Sequence, residues 1–211
     1  MSIATFAEVR TIYCIGRNYS AHAKELNNPV PETEPVVFLK SSAALRGLQE
    51  GPLAFASEQF HHETEVVLLV GKSVPLGGTA DWRVVEALTL GLDVTRRQVQ
   101  SHLKANGLPW TTAKSFAGSA VVAPFVPRDQ FRDLQSLTFT LHIREVLKQR
   151  GSIKDMIFPV PAILTFLASL NELRPGDLVF TGTPEGVGPL RQGDEFRLAF
   201  ENEGHRWSGV F

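Results

Sequence analysis

The stretch that most constrains this chain is His61-His62-Glu63-Thr64-Glu65, which runs straight into Val66-Val67-Leu68-Leu69-Val70. A Val-rich run of this length favours strand, because β-branched side chains fit the pleat. Side chains alternate faces along a strand, so Glu63 and Glu65 point the same way. Two carboxylates on one face beside an apolar run repel each other and resist leaving water. A shared cation relieves both problems. Oxygen ligands suit Mg²⁺, Mn²⁺ or Ca²⁺ better than a soft metal. The alternative is a solvated strand end whose charges face water, which is common on exposed strands.

Choosing between them depends on whether the chain builds a core. Hydrophobic residues make up 43% of its 211 residues and charged residues 20%, so it can bury one as a globular protein. The length fits one domain over 11–211, with residues 1–10 as an N-terminal extension. A net charge of −1 gives no electrostatic case for nucleic acid or an anionic membrane. Cys14 is the only cysteine, which excludes an internal disulfide and fits a reducing compartment. The first residues carry no basic region followed by an apolar stretch, and no apolar run approaches the ~20 residues of a membrane span. The expectation is a soluble cytoplasmic protein.

Along the chain, Thr11 to Ile15 reads as a short strand ended by Gly16. Ser20 can cap a short helix on which His22 and Glu25, three apart, sit side by side. A carboxylate beside an imidazole raises its basicity and fixes its tautomer, as a general base requires; a surface ion pair is the alternative. Residues 27–35 read as a mobile connection, and Gly51-Pro52 as a turn. Pro35 to Lys40 reads as a buried-type strand, with Lys40 a snorkelling surface charge ahead of an anion contact. Asp81 caps a helix expected through Leu88, and a strand from Thr89 to Val94 places Asp93 before a helical stretch over 95–104. Asp93 is then either an N-cap or a third metal ligand. Lys114 stands among small and apolar residues, an unusual place for an idle charge.

Leu137 to Ile143 alternates as a strand and continues into a hairpin turning near Arg144-Glu145, without the usual Asn-Gly. Ile163, Leu164, Phe166, Leu167 and Leu170 recur at helical spacing and read as core. Arg174 to Asp177 turns into the strand Leu178 to Thr181. The glycine-rich stretch from Gly182 to Pro189 follows; it lacks the lysine of a P-loop, yet its hydroxyls and N–H groups can receive a carboxylate. Two closing strands run from Glu195 to Glu201 and from His205 to Phe211.

Seven segments, in this order and spacing, resemble the fumarylacetoacetate hydrolase family, in its short acylpyruvase-like branch. They are Gly16-Arg17-Asn18-Tyr19 with His22, Pro35 to Lys40, His62 to Glu65, Leu92 to Arg96, Gly107 to Trp110 with Lys114-Ser115-Phe116, Asp155 to Phe158, and Thr181 to Pro189. The resemblance implies an α+β, mostly β fold: a mixed β-sandwich roll with a few short helices, usually a homodimer. It implies that Glu63, Glu65 and Asp93 bind Mg²⁺ or Mn²⁺, that His22 and Glu25 form a base dyad, and that Lys114 is the active-site lysine. Gln100 and Thr183 match substrate-touching positions, with Arg17 and Arg97 as neighbours. The chain departs from the branch at His142-Ile143-Arg144-Glu145, where Val-Asn-Gly-Glu is usual, and at Ala117 to Ala120.

Three carboxylates and a divalent cation leave about −1, so an anionic substrate needs Lys114, with Arg17 or Arg97, to offset it. A 2-oxo acid fits, and its chemistry runs through a pyruvate-type enolate. The main expectation is hydrolysis of an acylpyruvate such as fumarylpyruvate or acetylpyruvate to pyruvate and a carboxylic acid, with His22 and Glu25 deprotonating water. Oxaloacetate decarboxylation and keto–enol or double-bond isomerisation share the enolate and form the alternative. A non-catalytic metal-binding scaffold is more distant, because His22, Glu25 and Lys114 are all present.

Overall fold

The computed structural model describes residues 9–25, 29–51 and 60–211. Most of the expected N-terminal extension, Asn27 and Asn28 of the expected connection, and Pro52 of the expected turn lie outside the described residues. Fifteen strands are present among the described residues. They are β1 (Ile12–Gly16), β2 (Val36–Lys40), β3 (Leu45–Gly47), β4 (Phe60–His62), β5 (Thr64–Val70), β6 (Val85–Asp93), β7 (Thr95–Arg96) and β8 (Ala120–Val122). They continue with β9 (Val126–Pro127), β10 (Thr138–Ile143), β11 (Val146–Ser152), β12 (Leu178–Phe180), β13 (Gly188–Pro189), β14 (Glu195–Phe200) and β15 (Arg206–Val210). The α-helices are α1 (Ser20–Glu25), α2 (Arg97–Ala105), α3 (Thr111–Lys114) and α4 (Val160–Leu170).

The apolar run is β5, and it lies inside the largest sheet, ordered β2-β1-β12-β5-β6-β8-β3 with β9 added on β6. β1 with β12 and β3 with β8 pair parallel, and the remaining pairs are antiparallel, so the sheet is mixed. Every residue of β5 is buried, because both faces are covered. Val66, Leu68 and Val70 join the main core with Leu88, Leu90 and Leu92 of β6. That core also takes Phe139 and Leu141 of β10, Phe196, Leu198 and Phe200 of β14, and Ile163, Leu164 and Leu167 of α4. Val67 and Leu69 point the other way, into a smaller cluster with Ile12, Cys14, Ala87 and Phe180. Glu65 and Asp93 share the parity of this smaller cluster, which places both carboxylates on one face at the sheet's end. Gly91 lies between them in register and on the same face; a side chain there would meet Val121 O and Val67 Cγ2 at 2.7 Å.

A second sheet, β11-β10-β14-β15, carries the predicted hairpin. Arg144 and Glu145 both take positive φ, at 47° and 59°, the turn geometry that matches strand twist without glycine. No helix among the described residues is long and apolar enough to cross a membrane.

Several local expectations change: Thr95–Arg96 pair as β7 ahead of α2, and β2 is fully buried only at Lys40. Asp81 does cap, accepting from Arg83 N, but only the 3₁₀ turn Trp82–Val84; Val85 onward pairs with β5 as strand. The His61–Val70 run breaks at Glu63 into β4 and β5, which belong to different sheets. Leu170 is 49% exposed at the end of α4, and Ala168 takes its place in the core.

Candidate metal and 2-oxo acid site

Glu63, Glu65 and Asp93 converge because β5 and β6 are antiparallel, with Thr64 opposite Leu92 and Asp93 N donating to Glu63 O at 2.8 Å. One ligand oxygen from each lies within 4.8 Å of the others, and all three residues are buried. Lys114 Nζ donates to Glu63 Oε2 at 2.7 Å, Asp93 Oδ2 at 2.5 Å and Thr95 Oγ1 at 2.7 Å. Burial alone lowers the ammonium's pKa, but Asp93 and Glu63 outweigh it, and the net shift is upward. Arg97 reaches Glu63 Oε1 at 2.5 Å and Gln100 Oε1 at 2.6 Å. Burial raises the Glu63 carboxyl, yet Lys114, Arg97 and His22 together hold it well below the ordinary carboxylate range.

Lys40 is the correction. Far from snorkelling, it is 3% exposed, and its Nζ lies 2.8 Å from Asp93 Oδ1. The approach is off the hydrogen-bonding direction, so that oxygen has an ion pair without a directed bond. Lys40 Nζ also donates to Lys114 O. The centre therefore holds three carboxylates and three cations: Lys40, Lys114 and Arg97.

Glu65 is the carboxylate that these cations do not touch; among the described residues its Oε2 accepts from Gly182 N, at 2.7 Å. Burial first, then Asp93 and Glu63, push its pKa well above the ordinary value. A buried, oxygen-only donor set with one member lacking a cationic contact fits a hard divalent ion. Glu63, Glu65 and Asp93 are the residues that would hold it.

The dyad sits at the same pocket. His22 Nδ1 and Glu25 Oε2 are 3.3 Å apart, and Gly186 N donates to the Glu25 carboxylate at 3.1 and 3.3 Å. Gly186 has φ 91°, and a Cβ there would fall 2.1 Å from Lys148 O, so only glycine brings this N–H to Glu25. Burial lowers the His22 pKa, against the pull of Glu63 and Glu25.

One pocket is lined by Arg17, His22, Glu63, Glu65, Asp93, Arg97, Gln100, Lys114 and Thr183, with Glu25 behind His22. Sequence reasoning placed Lys40 at the surface ahead of an anion contact, quoted Trp110 without a role, and missed Lys104 and a buried residue behind the wall, Gln149. Gln149 Oε1 accepts from Thr64 N at 3.0 Å and lies 3.0 Å from His62 Nδ1. Its Nε2 donates to Thr183 Oγ1 at 2.8 Å and Pro184 O at 3.0 Å. The two backbone partners fix which way the amide faces. They also fix His62 as the Nδ1–H tautomer, neutral because burial pushes its pKa down to about 4. Thr183 Oγ1 in turn donates to Thr64 O at 2.9 Å. Gln149 thus clamps the loop after β12 to the strand carrying Glu65. Gln149→Leu is expected to lower stability by about 3 kcal/mol, since it strands buried Thr64 N–H and Pro184 C=O groups. Denaturant unfolding measures this; an unchanged midpoint would show that the clamp is dispensable.

A mixed β roll with a buried, lysine-braced acidic centre and an imidazole–carboxylate pair at its pocket defines a narrow class of proteins. Within it, this chain belongs to the fumarylacetoacetate hydrolase family: residues 11–206 match the model for the fumarylacetoacetate (FAA) hydrolase C-terminal domain. It is 39% identical over 197 residues to the mitochondrial oxaloacetate tautomerase FAHD1 of Mus musculus, covering 91% of this chain and 87% of the relative. It is 39% identical over 189 residues to a mitochondrial oxaloacetate decarboxylase of Dictyostelium discoideum, covering 87% and 85%. The crystal structure of fumarylpyruvate hydrolase from Pseudomonas aeruginosa in complex with Mn²⁺ and pyruvate superposes with TM-score 0.86 at 35% identity, covering 96% and 89%.

Proposed function

We propose that this protein is a divalent-metal-dependent enzyme that interconverts the keto and enol forms of a doubly anionic 2-oxo acid of the oxaloacetate type. The carrying observation is the charge count at the pocket. With Lys40 inside, three ionised carboxylates and three cations cancel, so a divalent cation that keeps Glu65 ionised makes the centre +2 and suits a dianion. The tautomerase and decarboxylase relatives support this reading over the acylpyruvate hydrolysis first expected from the sequence.

When bound, the ion supplies Lewis-acid polarisation of the 2-oxo group. Lys114, Lys40 and Arg97 hold the carboxylates in place around it. Gln100, Arg97 and Thr183 line the space where the 2-oxo head is received. Glu25 accepts from His22 Nδ1–H, which leaves Nε2 as the basic atom. His22 Nε2 takes a proton from C3 of the keto form, and proton return to the C2 oxygen completes the enol. Lys114, a permanent cation here, offsets the charge that builds on the enolate.

The test follows enol absorbance of oxaloacetate in parallel with pyruvate and CO₂ release, with Mn²⁺ and with chelator. The expected result is chelator-sensitive enol–keto exchange that outpaces pyruvate formation. Pyruvate release from acylpyruvates without accelerated exchange would overturn the reading in favour of the hydrolase.

A further inference from the structure

We infer that Lys40 sets the charge of the acidic centre, so that a divalent ion binds weakly alone and tightly together with a dianionic ligand. This rests on the function proposed above, from which it takes the ion and the dianion. It assigns the dependence of one on the other to a single side chain.

Without Lys40, three carboxylates would face two cations, Lys114 and Arg97, and the net −1 would draw in a divalent ion unaided. Lys40 cancels that last charge. Its Nζ stands 2.8 Å from Asp93 Oδ1, a buried oxygen with no hydrogen-bond partner among the described residues. The other oxygen, Oδ2, already accepts from Lys114 Nζ at 2.5 Å. An ion held by Asp93 therefore shares that carboxylate with a fixed positive charge.

The ammonium has nowhere to withdraw. Lys40 is the last residue of β2, and its pairing with Ile12 of β1 fixes where the side chain starts. Its Nζ donates to Lys114 O and reaches Val94 O at 3.5 Å. The Phe116 ring stands 6.0 Å from the same atom. At 3% exposure there is little water to screen the charge. Its repulsion of a divalent ion thus persists once the ion has entered. A dianion relieves it, because ion and dianion together add no net charge to a balanced centre. A monoanion with the same chelating head relieves only part of it. By linkage the effect is mutual: whatever factor the dianion adds to ion affinity, the ion adds to dianion affinity.

The test is calorimetry on the wild type, Lys40→Met and Lys40→Gln. Glutamine drops the charge but keeps donors for the two carbonyls, which guards against the methionine variant failing to fold. Mn²⁺ is titrated into the ligand-free protein, then oxalate and pyruvate into the Mn²⁺-loaded protein. Both variants should bind Mn²⁺ at least about tenfold more tightly than the wild type, a change opposite in sign to the loss of a structural brace. Once loaded, they should bind oxalate at least about tenfold more weakly, and pyruvate by a smaller factor. Weaker or unchanged Mn²⁺ binding in a folded variant would overturn the inference and leave Lys40 a brace for Asp93. Equal weakening of both ligands would overturn it as well. The expected binding changes without enol–keto exchange in the wild type would instead overturn the catalytic reading and leave the role of Lys40 standing.

Discussion

Lys114→Met is expected to abolish exchange, lowering kcat/KM by at least about 10³-fold, because it removes the cation that offsets the enolate. It is also expected to destabilise the fold by about 3–5 kcal/mol, since Glu63 and Asp93 are left buried without the ammonium they share. Methionine nearly matches the lysine stem in volume, so the loss is electrostatic and not a cavity. The two effects separate on adding Mn²⁺. A divalent ion among the carboxylates restores charge balance, so the thermal midpoint should recover, while exchange should not. Thermal unfolding and exchange rates, each with and without Mn²⁺, measure this. Recovery of exchange together with stability would show that Lys114 only braces the centre.

The parts of this site that were legible in the sequence are those whose chemistry is local. Glu63 and Glu65 are two apart, His22 and Glu25 three apart, and each spacing fixes a shared face as soon as strand or helix is assigned. Lys40 was misread because its surroundings are not local. Nothing near Pro35–Lys40 tells that the end of β6 arrives beside it, 53 positions along the chain, with a carboxylate needing a partner. Gln149 gave no signal at all. Val146, Leu147 and Lys148 before it are exposed, and its partner Thr64 is 85 residues away. The helix expected after Asp81 failed for a similar reason. Its cap formed, but pairing of Val85–Asp93 along β5 outweighed local helical preference. Fold class came through the motif resemblance, since short strands shared among three sheets leave little trace in periodicity.

His22→Ala is expected to slow exchange by about 10²- to 10⁴-fold while leaving divalent-ion affinity, measured by calorimetry, unchanged. The separation is expected because His22 contacts Glu25 and not the acidic centre, whose carboxylates are braced by Lys40, Lys114 and Arg97. The wild-type pH profile carries the same information. A base works in its neutral form, so the rate should fall as pH drops through the His22 pKa. Burial holds that pKa below the ordinary 6.5, so the acid limb should lie below this value. Glu25 stabilises the imidazolium, both through the hydrogen bond and by its charge. Glu25→Gln keeps an acceptor for Nδ1–H but removes the charge, and should move the limb to still lower pH with a weaker base. An acid limb that stays in place in Glu25→Gln would assign it to another group. Full exchange in His22→Ala would remove the imidazole from the mechanism.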